Sequence, residues 1–122
     1  MGETLVAEKP EGKIKKNIIN PWLEKMKAHK NMPVTRGFGT SGVLDYVTCI
    51  RGLYVAIEAK APGRRGEANQ GLSRLQVDEF DKITKAGGFA WRVDCQEDLD
   101  ELEFHLNTGR RLTNMEKLIH PA

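Results

Sequence analysis

The sequence predicts a single domain of the α/β class, with a mixed β-sheet of three to five strands flanked by α-helices. Three observations predict it. A chain of 122 residues suffices for about one domain around one core. Apolar residues recur at helical spacing in the first and last thirds of the chain. Between them lie two runs rich in β-branched and aromatic residues, separated by two residues, which is typical of a β-hairpin.

The chain divides into three parts. Residues 1–9 are polar and are expected to form a flexible N-terminus. Residues 10–106 contain all the periodic segments and are expected to form the one domain. Residues 107–122 have no clear pattern and are expected to form a C-terminal tail or a dimer arm. We find no internal repeat and no low-complexity tract.

The first helix is indicated by four apolar residues spaced four apart: Ile14, Ile18, Trp22 and Met26. Pro21 interrupts this pattern, because proline lacks a backbone N–H and is favoured at the first position of a helix. The segment is therefore either two helices meeting at an angle or one kinked helix. Residues 31–42 are rich in Gly, Pro, Thr and Ser and are expected to form a loop.

The predicted hairpin pairs residues 43–50 with residues 53–60 around the turn Arg51-Gly52. After it comes a long basic loop at 61–72. Ser73 and Gln76 form the Ser-x-x-Gln pattern that caps a helix, and glycines at 87–88 end that helix. Residues 89–93 are expected to be a strand. Three leucines at helical spacing, Leu99, Leu102 and Leu106, mark a final amphipathic helix.

The register of this hairpin brings two acidic residues together. A two-residue turn sets Asp45 opposite Glu58, with Cβ atoms about 4.5–5.5 Å apart, where like charges are destabilising unless something neutralises them. Lys60 points to the same face as Glu58 because side chains alternate along a strand. One interpretation is a divalent cation bound by hard oxygen ligands, Mg²⁺ or Mn²⁺, which would serve phosphodiester hydrolysis. The other is a cross-strand salt bridge, which a slip of one residue in register would break.

These residues resemble a known family. The segments Gly-Val-Leu-Asp at 42–45, Ile-Glu-Ala-Lys at 57–60 and Ser-x-x-Gln at 73–76 are similar to the virus-type replication-repair nuclease branch of the PD-(D/E)XK superfamily. The resemblance covers about residues 11–94 and implies a restriction-endonuclease-like core. Two positions depart from the family pattern. Leu44 stands where Pro is common before the aspartate, and Ala59 stands where a branched apolar residue is common.

The resemblance implies roles for individual residues. Asp45 and Glu58 would be metal ligands with the carbonyl of Ala59, and Lys60 would be the catalytic lysine. A glutamate of the first helix is also usual in the family. Glu11 fits best, because it lies three residues before Ile14 and so shares its helix face. Glu8 and Glu24 are the alternatives.

Gln76 has two predicted roles that are compatible. As the third residue of its helix it can bond back to the Ser73 backbone. It also shares a helix face with Phe80 and Ile83, so it should point towards the sheet and the catalytic residues.

Basic residues around this site are expected to contact DNA. Arg64, Arg65 and Arg74 are the expected phosphate contacts. Lys13, Lys15 and Lys16 on the first helix are less specific. From residue 9 to residue 74 there are 13 Lys or Arg against 5 Asp or Glu, which indicates a basic surface, whereas residues 76–106 carry 3 against 9.

The expected activity is a Mg²⁺- or Mn²⁺-dependent DNA endonuclease. The resemblance implies branched DNA such as a four-way junction, and a two-fold substrate favours a homodimer. A flap or duplex nuclease, or a DNA-binding protein of this fold without activity, is the alternative. We expect no organic cofactor. We also expect no membrane partner, because no stretch approaches the roughly 20 apolar residues of a membrane span. The first residues lack an apolar signal region, so we expect a cytoplasmic protein.

Overall fold

The computed structural model of the protein describes residues 9–33, 42–109 and 112–115. The described strands form one mixed sheet of four strands. They are β1 (His29–Asn31), β2 (Tyr46–Ile50), β3 (Leu53–Ala59) and β4 (Phe89–Val93), and they lie side by side in that order. β1, β2 and β3 pair antiparallel, and β4 pairs parallel with β3. The predicted α/β class and the mixed sheet are confirmed.

Helices cover both faces of the sheet. They are α1 (Pro10–Ile14), a π-helical turn (Lys15–Ile19), α2 (Asn20–Lys25), α3 (Arg74–Lys85) and α4 (Gln96–Thr108). The N-terminal helical segment and α4 enclose the larger apolar cluster with one face of the sheet. Phe80 and Ile83 of α3 pack with Ala56 and Ala90 on the other face. In the part of the chain that the structure describes, no helix is both long and apolar enough to cross a bilayer.

The N-terminal segment is one continuous helical path whose middle turn is π-helical. The N–H of Asn20 bonds to the carbonyl of Lys15, five residues earlier, just before Pro21. Pro21 has no N–H and its ring would crowd a carbonyl four residues earlier, so the wider turn accommodates it. The extra residue shifts the apolar face. Ile19 is buried, whereas Ile18, which the regular spacing placed on that face, is only partly buried.

The hairpin has the predicted register, although its strands are shorter than predicted. Tyr46 lies opposite Ile57, and Ile50 lies opposite Leu53. Arg51 and Gly52 both have positive φ, 54° and 81°, as a type I′ turn requires. Residues 43–45 were predicted as strand but lie outside β2, and residue 60 lies outside β3.

The connection from β3 to β4 runs through α3, as a parallel pair requires. Ser73 caps α3 with a complete capping box, which confirms the predicted start of this helix. Gly87, with φ of 91°, follows its end. The crossover lays α3 across the face of the sheet to which the even-numbered residues of β3 point.

Two elements were not predicted, β1 and a short 3₁₀ segment (Ala68–Gly71) within the basic loop. β1 consists of three exposed residues at the sheet edge, so it carries no apolar alternation, and its last residue falls in the segment 31–42 that was expected to be a loop. Residues 34–41 of that segment lie outside the described residues.

Part of the segment 107–122 also belongs to the domain. α4 continues to Thr108, and Leu112 accepts a hydrogen bond of 2.8 Å from the Ala90 N–H of β4. Asn114 bonds both backbone groups of Arg92, at 2.9 and 2.7 Å. These described residues line the outer edge of β4 instead of forming a separate arm. Residues 110–111 and 116–122 lie outside the described residues.

Candidate active site

The open end of the hairpin brings Asp45 and Glu58 into direct contact. The N–H of Asp45 donates to Oε1 of Glu58 at 2.9 Å. In return, Oδ2 of Asp45 accepts from the N–H of Ala59 at 2.9 Å. The two side chains thus continue the antiparallel pairing one residue beyond the Tyr46–Ile57 pair. This arrangement holds both carboxylates at one end of the sheet, as the predicted register requires.

Glu58 is a buried acid in an acidic surrounding. Its exposed fraction is 4%. The pKa of Glu58 is raised to about 7, first by burial and then by the charge of Asp45, while Lys60 and the Asp45 N–H oppose the rise. Glu11 also raises it, so the first-helix glutamate lies within electrostatic reach. Because ionisation of Glu58 is costly in this site, an added cation would stabilise its ionised form.

Lys60 and Gln76 meet at the Glu58 carboxylate. The Nζ of Lys60 donates to Oε1 of Gln76 at 3.2 Å and lies 3.5 Å from Oε2 of Glu58. The Nε2 of Gln76 donates to the same Glu58 oxygen at 2.8 Å. Lys60 is only 7% exposed, so these contacts replace much of its hydration. The result is a fixed ammonium beside a fixed carboxylate.

Gln76 makes both of its predicted contacts at once. Its Oε1 accepts from the N–H of Ser73 at 3.0 Å, and its own N–H donates to the Ser73 Oγ at 3.1 Å. The same amide group reaches Lys60 and Glu58. The start of α3 is therefore tied directly to β3.

The carbonyl of Ala59 faces the same side of β3 as the Asp45 carboxylate. In an antiparallel pair, the N–H and C=O of one residue point to the same neighbour. The Ala59 N–H bonds to Asp45, whereas the Lys60 N–H bonds to the Val93 carbonyl of β4. The Ala59 carbonyl is thereby directed to the end of β2, where the resemblance requires a backbone ligand.

The N-terminal helical segment contributes two charges to this end of the sheet. The Nζ of Lys15 lies 3.2 Å from Oδ1 of Asp45. Glu11 lies one helical turn earlier and acts electrostatically on Glu58 and on Arg64. Among the three glutamates considered for the first helix, these interactions favour Glu11. Glu24 is exposed on α2, and Glu8 lies outside the described residues.

Sequence reasoning did not single out Lys15. A signal was present, since Lys15 follows Glu11 at the spacing of four that places two residues on one helix face. The adjacent lysines, Lys13 and Lys16, carry the same charge and are exposed, so charge alone does not distinguish the three.

A cleft of about 660 Å³ opens over these side chains. Asp45, Lys60 and Gln76 line it together with Arg64 and Glu67 of the basic loop. Val43, Ala68, Gly71, Leu72 and Ser73 complete the lining. Its volume lies within the range of about 300–1,000 Å³ that is common for small-molecule sites, so it has room for a phosphodiester.

The three predicted DNA-contacting arginines are in different surroundings. Arg64 lines the cleft, and its Nε and Nη2 donate to Oε1 of Glu67 at 3.0 and 2.8 Å. Arg74 is exposed on the first turn of α3. Arg65 turns away to bind Asp94 and Asp98, so its contacts are internal to the protein.

A second acidic cluster lies at the start of α4. Asp94, Cys95 and Asp98 offer ligand atoms close enough to hold a metal ion. Arg65 already lies against both carboxylates. Arg92, which is 1% exposed, donates from Nη1 to Oδ2 of Asp94 at 2.8 Å. These two arginines hold the pKa of Asp94 near 2, against the effect of its burial. The cluster therefore carries its own counter-charges and anchors the basic loop.

Comparisons of the chain with models of protein families, with curated proteins and with solved structures gave no match. The chemistry of the site thus follows from its own geometry. Two adjoining carboxylates, a buried lysine held by an amide, and a cleft that is also lined by an arginine can bind a cation and an anion side by side.

Proposed function

We propose that this protein is a divalent-metal-dependent DNA endonuclease with a restriction-endonuclease-like core, of the kind that its likeness to virus-type replication-repair nucleases implies. The observation that carries the proposal is the convergence of Asp45, Glu58 and Lys60 at one end of the hairpin, beside Gln76 of α3. Mg²⁺ or Mn²⁺ is the proposed cofactor, because both prefer hard oxygen ligands and retain water.

The residues present fit such a cation. Burial of Glu58, together with the charge of the adjacent Asp45, raises the pKa of Glu58. The proposed ligands are Asp45, Glu58 and the Ala59 carbonyl, with Glu11 in support. When bound, a divalent cation polarises a phosphoryl oxygen and lowers the pKa of a coordinated water.

The other proposed roles belong to side chains of the protein. Lys60, held at the Gln76 amide, offers ammonium hydrogens to the negative charge that develops on the phosphoryl group. Gln76 fixes the orientation of the Glu58 carboxylate. Arg64, which lines the cleft, is the proposed contact to a neighbouring phosphate, and Arg74, which does not line it, is a further proposed phosphate contact.

Branched DNA such as a four-way junction is the proposed substrate, and a homodimer is the proposed assembly, because two-fold symmetric DNA needs two active sites related by symmetry. Both rest on the family resemblance. The cleft is open at the protein surface, so flaps and plain duplex are alternative substrates that the following experiment distinguishes.

The test is to incubate the purified protein with labelled four-way junction, flap, single-stranded and duplex DNA, with Mg²⁺, Mn²⁺ or a chelator. The variant is Lys60→Ala, and the matched control is Lys82→Ala, which removes an exposed lysine of α3. We expect metal-dependent cleavage that Lys60→Ala abolishes and Lys82→Ala retains. Binding without cleavage under every metal would contradict the catalytic proposal and leave a DNA-binding protein.

A further inference from the structure

Both oxygens of the Asp45 carboxylate are already engaged by the protein. Oδ2 accepts the Ala59 N–H at 2.9 Å, and Oδ1 lies 3.2 Å from the Nζ of Lys15. The Ala59 bond is made by the backbone of β3 and cannot move independently. The Lys15 contact is made by a long side chain and can be exchanged.

We propose that Lys15 is a built-in competitor for the divalent cation at Asp45, and this inference rests on the proposed function. The ammonium lies against the carboxylate oxygen that a metal would use. Because two positive charges repel strongly at contact distance, binding of a cation to Oδ1 requires Lys15 to move away. Lys15 therefore lowers the affinity of the site for metal, and it neutralises Asp45 when no metal is bound.

Lys60 and Lys15 differ in how firmly the protein holds them, as expected if only Lys15 is displaced by a metal. Lys60 has a side chain 9% exposed and is held by Gln76, so it is a fixed cation. The Lys15 side chain is 29% exposed, and its partner Asp45 is 21% exposed. A lysine ammonium at the end of a flexible four-carbon chain can return to water at little cost from such a position.

A purely structural role for Lys15 makes a different prediction. Partly exposed ion pairs contribute little to stability, and the N-terminal helical segment is held to the sheet by buried apolar residues such as Ile14, Ile19 and Trp22. Replacing Lys15 by a neutral residue should therefore leave the fold intact. Metal affinity separates the two roles. If Lys15 only formed a structural ion pair, its replacement would leave the metal affinity unchanged or lower it.

The experiment measures Mn²⁺ binding to the metal-free protein without DNA, by calorimetry and by electron paramagnetic resonance. Lys15→Met and Lys15→Gln remove the charge, Lys15→Arg keeps it, and Lys13→Met removes an exposed charge from the same helical segment. Asp45→Asn identifies binding at this site. We expect both neutral variants to bind Mn²⁺ roughly tenfold more tightly than the wild type, because a nearby positive charge has been removed. Lys15→Arg and Lys13→Met should stay within about twofold of the wild type, since each leaves a positive charge beside Asp45.

Each outcome has a distinct meaning. Equal or weaker Mn²⁺ binding in the neutral Lys15 variants, with Asp45-dependent binding in the wild type, would overturn the competitor role and leave the proposed function standing. A gain in Lys13→Met as large as in Lys15→Met would also overturn it, because the effect would then be one of net charge. Absence of Asp45-dependent binding in every variant would overturn both proposals. Thermal melting of each variant establishes that it is folded.

Discussion

The amide of Gln76 donates a 2.8 Å hydrogen bond to the Glu58 carboxylate, linking the first turn of α3 to the open end of β3. The same side chain accepts from Lys60 and from the Ser73 backbone. One residue thus joins a helix cap to the two charged groups proposed for catalysis. The contribution of Gln76 to stability and its contribution to activity are therefore separable by experiment.

Gln76→Ala should lower the cleavage rate by about 10- to 100-fold, because the loss of a positioning contact misplaces reacting groups. Ser73→Ala is the matched control. It loses the Ser73 Oγ acceptor, at a cost of about 1 kcal/mol in the free energy of unfolding, but it keeps the contacts of Gln76 with Lys60 and Glu58. Urea unfolding and single-turnover cleavage measure the two quantities. Equal loss of activity in both variants would show that Gln76 acts only through the cap.

Glu58 should make the stability of the metal-free protein depend on pH. The pKa of Glu58 is about 7 in the folded protein, whereas an unperturbed carboxyl of this type has a pKa of 4.5. Between these values the folded state binds the additional proton, so the free energy of unfolding should fall as pH rises from about 4.5 through about 7. Glu58→Gln should lack this part of the decline.

Urea unfolding at a series of pH values in a chelator tests this expectation. Glu24→Gln, which alters an exposed glutamate of α2, should retain the pH dependence of the wild type. Identical profiles for the wild type and Glu58→Gln would contradict the raised pKa of Glu58.

Arg65 and Arg74 should respond differently to substitution. Arg65→Ala leaves Asp94 and Asp98 without one of their counter-charges and should lower the free energy of unfolding by about 2 kcal/mol, between the values typical of exposed and of buried ion pairs. Arg74→Ala should leave stability nearly unchanged and weaken DNA binding. It should also reduce the slope of log affinity against log salt by about 1, as expected for one lost phosphate contact.

Fluorescence anisotropy with DNA in Ca²⁺ and urea unfolding together measure these effects. A reduced salt slope in Arg65→Ala, without loss of stability, would instead place Arg65 among the phosphate contacts. That result would return it to the role predicted from the sequence.

Gly42 should tolerate no side chain. A Cβ atom at this position would lie 2.4 Å from the carbonyl oxygen of Leu75 in the first turn of α3. Gly42→Ala should therefore push α3 away from the segment that leads to Asp45, destabilise the protein by about 1–3 kcal/mol, and lower activity. Gly66→Ala is the control, because nothing lies within 4 Å of its added Cβ. Similar melting temperatures for the two variants would contradict this close packing.

Local rules were sufficient to predict the centre of the site. The hairpin register follows from a two-residue turn and from strict alternation of side chains, both of which act over neighbouring residues. The Ser73–Gln76 cap is equally local. For that reason the sequence predicted the adjacency of Asp45 and Glu58, the side on which Lys60 lies, and the start of α3.

Tertiary structure decided which of several equivalent charges reach the site. Lys15 differs from Lys13 and Lys16 only in the helix face that packs towards Asp45, and the π-helical turn beside Pro21 shifts which residues of that segment are buried. Local spacing carries no information on such contacts, because they depend on how a helix packs against a sheet distant in sequence.

The same limit applies to Arg65, which the sequence places in a long basic loop. Its ion pairs with Asp94 and Asp98 join groups about thirty residues apart, and only folding brings them together. The sequence by itself therefore determined the hairpin, the cap and the adjacency of the two carboxylates. Tertiary structure alone assigned Lys15 to Asp45 and Arg65 to the second acidic cluster, because ion pairs between distant segments are selected by packing and not by local spacing.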